Sequence, residues 1–128
     1  MNYLYFILIG LALALGLYLF LYLYKYAMES PYRITAEEAK RRIGDGEFDI
    51  ILDVRTDVER ATLGYYPNSV HIQSADLEDR MRAAYPNKLT RILAYCNSGQ
   101  RARAATEKLH ALGYRNLSYI ATTHVSLM

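Results

Sequence analysis

The stretch that decides the fold is RILAYCNSGQR, residues 91–101. Its first five residues, Arg91 and then four apolar ones, are typical of a short buried strand, and residues 102–112 repeat apolar side chains at helical spacing before Gly113. The six residues 96–101 are therefore predicted to form a loop between a strand and a helix. Such a loop points its backbone N–H groups inward. The positive end of a helix, together with a guanidinium, favours a thiolate over a thiol and holds anionic groups.

Cys96, the first residue of this loop, is the only cysteine in the chain. A lone cysteine is often a small buried hydrophobic residue, and that is the alternative to a reactive one. Apolar packing explains neither Gly99, where the chain must turn tightly, nor Arg101, which can reach back over the sulfur. We therefore predict that Cys96 is a nucleophile.

The N-terminal end of the chain is predicted to be a membrane-spanning helix. The first 24 residues carry no charged side chain, so all 15 basic and 13 acidic residues lie in the remainder. Residues 3–24 are almost wholly apolar, with tyrosines at both ends, and a helix of that length crosses a hydrocarbon core of about 30 Å. A cleaved signal peptide is the competing interpretation, but it requires a basic leader and a shorter apolar core. We therefore expect a retained anchor that contacts the lipid bilayer through residues 3–24.

The orientation of this anchor follows from the basic residues near it. Lys25, Arg33 and the run Lys40-Arg41-Arg42 come after the span, and no basic side chain precedes it. Because basic residues near a span stay on the cytoplasmic side, we expect a single-pass membrane protein whose C-terminal domain lies in the cytoplasm. The single cysteine agrees with a reducing compartment.

The chain is predicted to have three parts: an anchor at residues 1–26, a linker at 27–33 that contains Ser30-Pro31, and one domain at 34–128. The last part has the size of one small domain with one core. The net charge of +2 and the scattered basic residues, without an aromatic platform, predict that nucleic acid is not a partner. The sequence leaves the oligomeric state open.

Within the domain, helix and strand signals alternate. A capping box at residues 35–38 predicts a helix at 36–43, and a second capping pattern at 56–59 predicts a short helix to about Leu63. The apolar run 48–54 is typical of a strand buried on both faces. The other predicted elements are a strand at 69–72, a helix at 75–85 capped by Ser74, the strand at 91–95, the helix that follows the Cys96 loop, and a strand at 116–120.

Strands that alternate with helices predict an α/β fold, in which a mainly parallel sheet has helices on both faces and right-handed crossovers join the strands. In such folds ligands bind at the carboxyl ends of the strands. Asp53-Val54-Arg55 and Cys96 both lie at such ends. We therefore expect the two motifs to lie near each other.

Three motifs, in this order, resemble a known family. They are Asp53-Val54-Arg55-Thr56 followed by Glu59, then Cys96-Asn97-Ser98-Gly99-Gln100-Arg101-Ala102, then Gly113-Tyr114-Arg115-Asn116-Leu117. Together they resemble a single-domain rhodanese, a thiosulfate-type sulfurtransferase, over about residues 31–120. The resemblance implies the rhodanese-like fold and an enzyme. In the implied reaction, Cys96 takes a sulfane sulfur from a small donor such as thiosulfate and carries it as a persulfide. Cys96 then passes the sulfur to a thiophilic acceptor such as cyanide or a thiol.

The resemblance also implies roles for the residues around Cys96. The backbone amides of the loop would stabilise the cysteine anion and its persulfide, and Arg101 would attract an anionic donor. Asp53 and Arg55 would lie near the loop and brace it, while a structural ion pair with Glu59 explains Arg55 equally well. The predicted substrate-binding residues are Asn97, Ser98, Gly99, Gln100 and Arg101.

Two other functions compete with sulfur transfer. Related phosphatases place five residues between cysteine and arginine, a wider cradle that fits a phosphoryl group, whereas only four intervene here. That spacing favours sulfur transfer over hydrolysis of a phosphate ester. The other alternative is a non-catalytic rhodanese-like scaffold or sensor domain at the membrane. Because such relatives often lose the cysteine, the presence of Cys96 and Arg101 favours the enzyme.

The chain departs from the family pattern at two places. Tyr65 stands where relatives commonly have a histidine, and Tyr65 and Tyr66 fit either the mouth of a pocket or, more simply, a half-buried turn. Ala121-Thr122 replaces a Gly-Gly pair after the last strand, and residues 123–128 leave little length for a final helix. These departures affect the element that closes the fold and part of the wall of the site.

No metal or cofactor is predicted. His71, His110 and His124 are far apart in the sequence and fall on different elements, without the spacing of metal ligands. The sequence has no glycine-rich phosphate loop, dinucleotide fingerprint or serine-nucleophile elbow. We therefore expect the site to work with neither a metal ion nor a cofactor.

Overall fold

A computed structural model describes residues 2–28 and 30–128, which form two compact units, one ending at Pro31 and the other starting at Tyr32. The first unit contains one helix, α1 (Tyr3–Met28). Its segment Tyr3–Lys25 is long and apolar enough to cross a membrane, and its side chains are exposed. By length and composition, α1 is a candidate membrane anchor.

The second unit alternates helices and strands. Its elements are α2 (Ala36–Gly44), β1 (Ile50–Asp53), α3 (Asp57–Leu63), β2 (Val70–His71), a 3₁₀ turn (Ser74–Asp76), α4 (Leu77–Ala84), β3 (Arg91–Tyr95), α5 (Gln100–Ala111), β4 (Asn116–Tyr119) and a final 3₁₀ turn (His124–Leu127).

The four strands form one parallel sheet in the order β2-β1-β3-β4. The predicted α/β fold with a parallel sheet is therefore confirmed. The connection from β1 runs to β2 at one edge, and β3 returns to the other side of β1. In the register of β1 and β3, Asp53 lies opposite Tyr95, which directly precedes Cys96. The Asp53 motif and Cys96 thus meet at the carboxyl edge of the sheet, where ligands bind in such folds.

Both faces of the sheet are buried, which explains why β3 is apolar without a break from Ile92 to Tyr95. On one face, Ile92 and Ala94 pack in a cluster with residues of α4 and α5, including Met81 and Leu109. On the other face, Leu93 and Tyr95 pack in a second cluster with Ala39 of α2 and Leu127 of the final turn. Helices or turns therefore cover the sheet from both sides.

Some predicted boundaries were wrong. The helix predicted at 75–85 opens as a 3₁₀ turn, and α4 begins only at Leu77. Ser74 does not cap it, because its hydroxyl donates to the Val54 carbonyl beyond β1, at 3.3 Å. The loop predicted at 96–101 is shorter, since Gln100 already begins α5. Residues 123–128, which were expected to leave little length for a final helix, contain only a 3₁₀ turn, and Leu127 inserts from that turn into the core.

Candidate active site

The loop at the carboxyl end of β3 turns at Gly99. This residue has φ of +100°, a conformation that side-chain-bearing residues rarely adopt. A Cβ atom at Gly99 would lie 2.6 Å from the Cα of Ala121, the residue two positions beyond β4. Gly99 is therefore required both by the backbone angle and by the close approach of the chain after β4. Ala121, which replaces the first residue of the Gly-Gly pair common in relatives, therefore packs directly against the loop at Gly99.

Cys96 lies at the base of this loop and is only 1% exposed. Its Sγ accepts a hydrogen bond from the Gly99 amide at 3.1 Å, and within residues 2–28 and 30–128 no other backbone amide donates to it. The amides of Gln100 and Arg101 belong to the first turn of α5, where N–H groups have no partner within the helix. The positive end of α5 thus begins beside the sulfur, an arrangement that stabilises negative charge there.

Arg101 is held by Glu59 rather than left free above the sulfur. Its Nη1 and Nη2 atoms bind the two carboxylate oxygens of Glu59 at 2.6 and 2.7 Å. The Asn97 side-chain amide also donates to Glu59, at 2.6 Å. Hydrogen bonds from Arg101 are the main cause that lowers the pKa of Glu59 to about 2, and the same carboxylate raises the pKa of Arg101. Glu59 therefore ties α3 to both ends of the loop and offsets the charge of Arg101.

Arg55 pairs with Asp53, so the alternative ion pair of Arg55 with Glu59 is wrong. Arg55 Nε and Nη2 donate to the two oxygens of Asp53, both at 2.9 Å, and the side chains of Arg55 and Asp53 are 1% and 0% exposed. The remaining nitrogen, Nη1, donates to Oδ1 of Asn97 at 3.3 Å, and Nη2 also reaches the Gly64 carbonyl at 2.7 Å. Arg55 thereby connects the end of β1 with the loop and with the end of α3.

Asp53 has two further partners that sequence reasoning missed. Arg60 Nη1 and the Tyr95 hydroxyl each donate to Oδ2 of Asp53 at 3.1 Å. Burial alone would raise the pKa of Asp53, but the hydrogen bonds from Arg55 and Tyr95 outweigh it and hold that pKa below its usual range. The pairing of Tyr95 with Asp53 could have been found from the strand register, since Tyr95 directly precedes Cys96 and lies opposite Asp53. Arg60 carries no comparable signal.

A cavity of about 390 Å³ opens beside the loop. It is lined by Arg55, Leu63, Asn97, Thr123, His124 and Val125. Neither Tyr65 nor Tyr66 lines it. Arg60 lies over the Tyr65 ring at 3.9 Å from its centroid, and the Tyr66 amide donates to the Tyr95 hydroxyl at 3.1 Å, as befits a half-buried turn. The sequence did not predict the lining of this cavity, because the lining residues come from three separate parts of the chain.

The three histidines lie on separate elements. His71 Nε2 bonds the Arg55 carbonyl at 2.7 Å, and His110 is exposed on α5. Only His124 lies in the wall of the cavity. Ser98 and Gln100, two of the predicted substrate-binding residues, are exposed at the rim of the loop. Within residues 2–28 and 30–128, no three His, Cys, Asp or Glu side chains are grouped so that they could hold a metal ion.

Comparison with known proteins adds an independent line of evidence. The family model described as rhodanese-like domain matches residues 35–122. No curated protein sequence matches the chain.

Several solved structures share the fold. A human single-domain sulfurtransferase is 22% identical, with a TM-score of 0.63 over 76% of this chain and 95% of that one. A rhodanese-related protein from Thermoplasma volcanium is 25% identical, with a TM-score of 0.62 over 74% of this chain and 88% of that one. A thiosulfate sulfurtransferase from Pseudomonas aeruginosa is 22% identical, with a TM-score of 0.58 over 73% of this chain and 18% of that one.

Proposed function

This chain belongs to the family of rhodanese-like domains, and from that premise we propose that it is a sulfurtransferase that carries a sulfane sulfur on Cys96. The observation that carries the proposal is the hydrogen bond from the Gly99 amide to Cys96 Sγ, at the positive end of α5. A main-chain donor aimed at the sulfur stabilises its anionic form, which is the nucleophilic one.

The reaction proceeds in two displacements. The Cys96 thiolate attacks the outer sulfur of a donor such as thiosulfate. The S–S bond of the donor breaks, and sulfite leaves with the electron pair. The acceptor, cyanide or a thiolate, then attacks the outer sulfur of the persulfide, whose S–S bond breaks and returns the pair to Cys96. The amides of Gln100 and Arg101, which lie in the first turn of α5, stabilise the terminal sulfur while it is charged.

The other predicted residues hold or tune this loop. Asp53 and Arg55 brace it through Asn97, because Arg55 reaches the Asn97 side chain at 3.3 Å while it stays paired with Asp53. Arg101 attracts an anionic donor, although the carboxylate of Glu59 partly offsets the positive charge of Arg101. Ser98 and Gln100 form the rim where the donor enters.

The same proposal places the enzyme at a membrane. Residues 1–26 act as the anchor, residues 27–33 as the linker, and residues 34–128 as a domain in the cytoplasm. The support is the apolar helix segment Tyr3–Lys25 and the division of the chain after Pro31. Protease treatment of sealed inverted vesicles tests the orientation: the domain should be digested in these vesicles and protected in right-side-out ones.

A non-catalytic scaffold or sensor domain is the second candidate. One observation favours it, namely that Cys96 is 1% exposed, a burial typical of structural cysteines. The two candidates differ in what thiosulfate does to the protein.

The decisive experiment is to incubate the full chain in detergent with thiosulfate and measure its intact mass. A sulfurtransferase gains the mass of one sulfur atom, which cyanide then removes. Because Cys96 is the only cysteine, Cys96→Ser is a clean control that must show no gain. An unchanged mass in the wild-type chain favours the scaffold.

A further inference from the structure

The charged side chains around the Cys96 loop form one connected set. Three arginines and two carboxylates belong to it: Asp53, Arg55, Glu59, Arg60 and Arg101. Asn97 joins its two halves, since Oδ1 of Asn97 accepts from Arg55 Nη1 at 3.3 Å and Nδ2 donates to Glu59 Oε2 at 2.6 Å. A sulfur donor that approaches Cys96 therefore meets the summed charge of this set.

Asp53 compensates two of the three guanidinium groups. Arg55 donates to both oxygens of Asp53 at 2.9 Å, and both side chains are buried. Arg60 donates to Asp53 at 3.1 Å, and its Nη atoms also bond the hydroxyl and the carbonyl oxygens of Ser69, at 3.0 and 3.1 Å. Both arginines are thus held by acceptors of the protein itself.

Glu59 compensates the third guanidinium, that of Arg101, which is the only charged side chain within residues 96–101. Both Nη atoms of Arg101 bind the Glu59 carboxylate, at 2.6 and 2.7 Å. Hydrogen bonds from Arg101 are the main cause that lowers the pKa of Glu59 to about 2, so Glu59 is ionised at neutral pH. An anion binds an arginine best through two parallel N–H groups, and Glu59 already occupies the two Nη atoms. A donor must therefore compete with a negative charge for Arg101.

The balance of charge disfavours a donor with two negative charges. The three arginines and two carboxylates leave one positive charge, which the Cys96 thiolate cancels at the moment of attack. Thiosulfate carries two negative charges, whereas an organic thiosulfonate, in which a carbon group replaces one charged oxygen, carries one. The positive end of α5 adds the equivalent of about half a charge. The second charge of thiosulfate therefore meets no unpaired cation in this set, and Glu59 repels it.

We infer that Glu59 is a specificity-determining residue, which selects a sulfur donor with a single negative charge, such as an organic thiosulfonate, over doubly charged thiosulfate. The inference rests on the proposed function. The Cys96 thiolate attacks the outer sulfur of the thiosulfonate and forms a new S–S bond. The S–S bond of the donor breaks, and the sulfinate leaves with its electron pair. Cys96 then carries the sulfur as a persulfide, as it does after reaction with thiosulfate.

The test compares two donors on the full chain in detergent, with cyanide as the acceptor. Thiosulfate and methanethiosulfonate have the same type of reacting S–S bond and differ by one charge. Glu59→Gln removes the charge and keeps the length of the side chain, whereas Glu59→Asp keeps the charge and shortens the side chain. Glu78→Gln is the matched control, because Glu78 also pairs with an arginine, Arg82 on α4, at 2.9 Å.

We expect the ratio of kcat/KM for thiosulfate to kcat/KM for methanethiosulfonate to rise about fivefold in Glu59→Gln, because the repulsion of the second charge is lost. The rise should shrink in about 0.5 M salt, since screening acts on charge and not on shape. Glu59→Asp and Glu78→Gln should keep the wild-type ratio. An unchanged or lower ratio in Glu59→Gln, or the same rise in Glu59→Asp, overturns the inference, while the persulfide would stand. No persulfide on the wild-type chain with either donor overturns the proposed function, and the inference with it.

A competition measurement on the wild-type chain needs no variant and covers the case that Glu59→Gln does not fold. Sulfate and methanesulfonate resemble the two donors in shape and charge but have no sulfur to transfer, and each is added while methanethiosulfonate loads the chain. We expect sulfate to inhibit no more strongly than methanesulfonate, because its second charge meets no unpaired guanidinium among Arg55, Arg60 and Arg101. An inhibition constant for sulfate that is lower than that for methanesulfonate by about fivefold or more overturns the inference.

Discussion

The two ends of the sheet each carry an arginine whose side chain is paired with an aspartate through two hydrogen bonds. At the carboxyl end, Arg55 binds Asp53 at 2.9 and 2.9 Å. At the amino end, Arg91 binds Asp49 at 2.9 and 3.3 Å. The side chains of the first pair are 1% and 0% exposed, whereas those of the second are 46% and 43% exposed. The chemistry is nearly the same, and the difference is the access of water.

Burial decides how much of the molecule depends on each pair. Asp53 accepts five hydrogen bonds, three from Arg55 and one each from Arg60 and Tyr95. Without Asp53, the charge of Arg55 would stay buried and unpaired, and the brace on the loop would be lost. Water replaces a lost partner at the exposed pair, so that pair contributes little. The site is therefore built on the buried pair.

The largest effect on stability is expected for Asp53→Ala. The free energy of unfolding should fall by about 3–5 kcal/mol, since the change leaves Arg55 as an uncompensated buried charge. Denaturant unfolding of the full chain in detergent, followed by near-ultraviolet circular dichroism, measures it. A loss of less than about 1 kcal/mol, the range of exposed pairs, would remove the contrast between the two ends.

The next effect is expected for Gly99→Ala, compared with Gly46→Ala near the amino end. Both glycines have positive φ, +100° and +70°, but an added Cβ at Gly46 meets nothing within 4 Å. Both variants bear a backbone strain of about 1–2 kcal/mol, and only Gly99→Ala must also displace Ala121. We expect Gly99→Ala to be the less stable and to lose persulfide formation, and Gly46→Ala to retain it. Equal unfolding free energies and equal loading would show that the close approach has no role.

A smaller, pH-dependent effect is expected for Glu59→Gln. The pKa of Glu59 falls from 4.5 to about 2 on folding, so its ionised form stabilises the folded state at pH above 4.5. That contribution disappears as the pH falls towards 2. The difference in unfolding free energy between wild type and Glu59→Gln should therefore be constant above about pH 5 and shrink below pH 4.5. A difference that does not change between pH 6 and pH 2 would contradict the ion pair with Arg101.

The smallest effect is expected for Asp49→Asn. Hydrogen bonds from Arg91 lower the pKa of Asp49, but both side chains face water. We expect no measurable change in the unfolding midpoint at pH 7 and normal persulfide formation. A midpoint shift as large as that of Asp53→Ala would mean that burial does not separate the two ends.

Much of the fold could be predicted because its signals are local. The capping box of Thr56 and Glu59 begins α3, and the apolar run of β3 requires burial on both faces. The adjacency of Asp53 and Cys96 followed from a general rule for parallel sheets. Ser74 shows where local signals fail, because a tertiary contact with Val54 replaces the cap.

The candidate site was less predictable because its contacts follow no regular sequence spacing. Glu59 satisfies a local capping box, which hid its second role as the partner of Arg101, 42 residues away. Arg60 binds Asp53 from α3, seven residues along the chain, a spacing that no helix or strand pattern predicts. His124 enters the site through a short turn whose position depends on Leu127 in the core. None of these three contacts has a sequence spacing that would reveal it.

The most direct test of the central claim is the intact mass of the full chain as purified from cells, before and after treatment with cyanide. A sulfur carrier should arrive with part of the population heavier by one sulfur atom, and cyanide should return that part to the unmodified mass. The same chain with Cys96→Ser should show a single mass throughout. A wild-type chain that has the unmodified mass on purification, and keeps it after thiosulfate, would contradict the account.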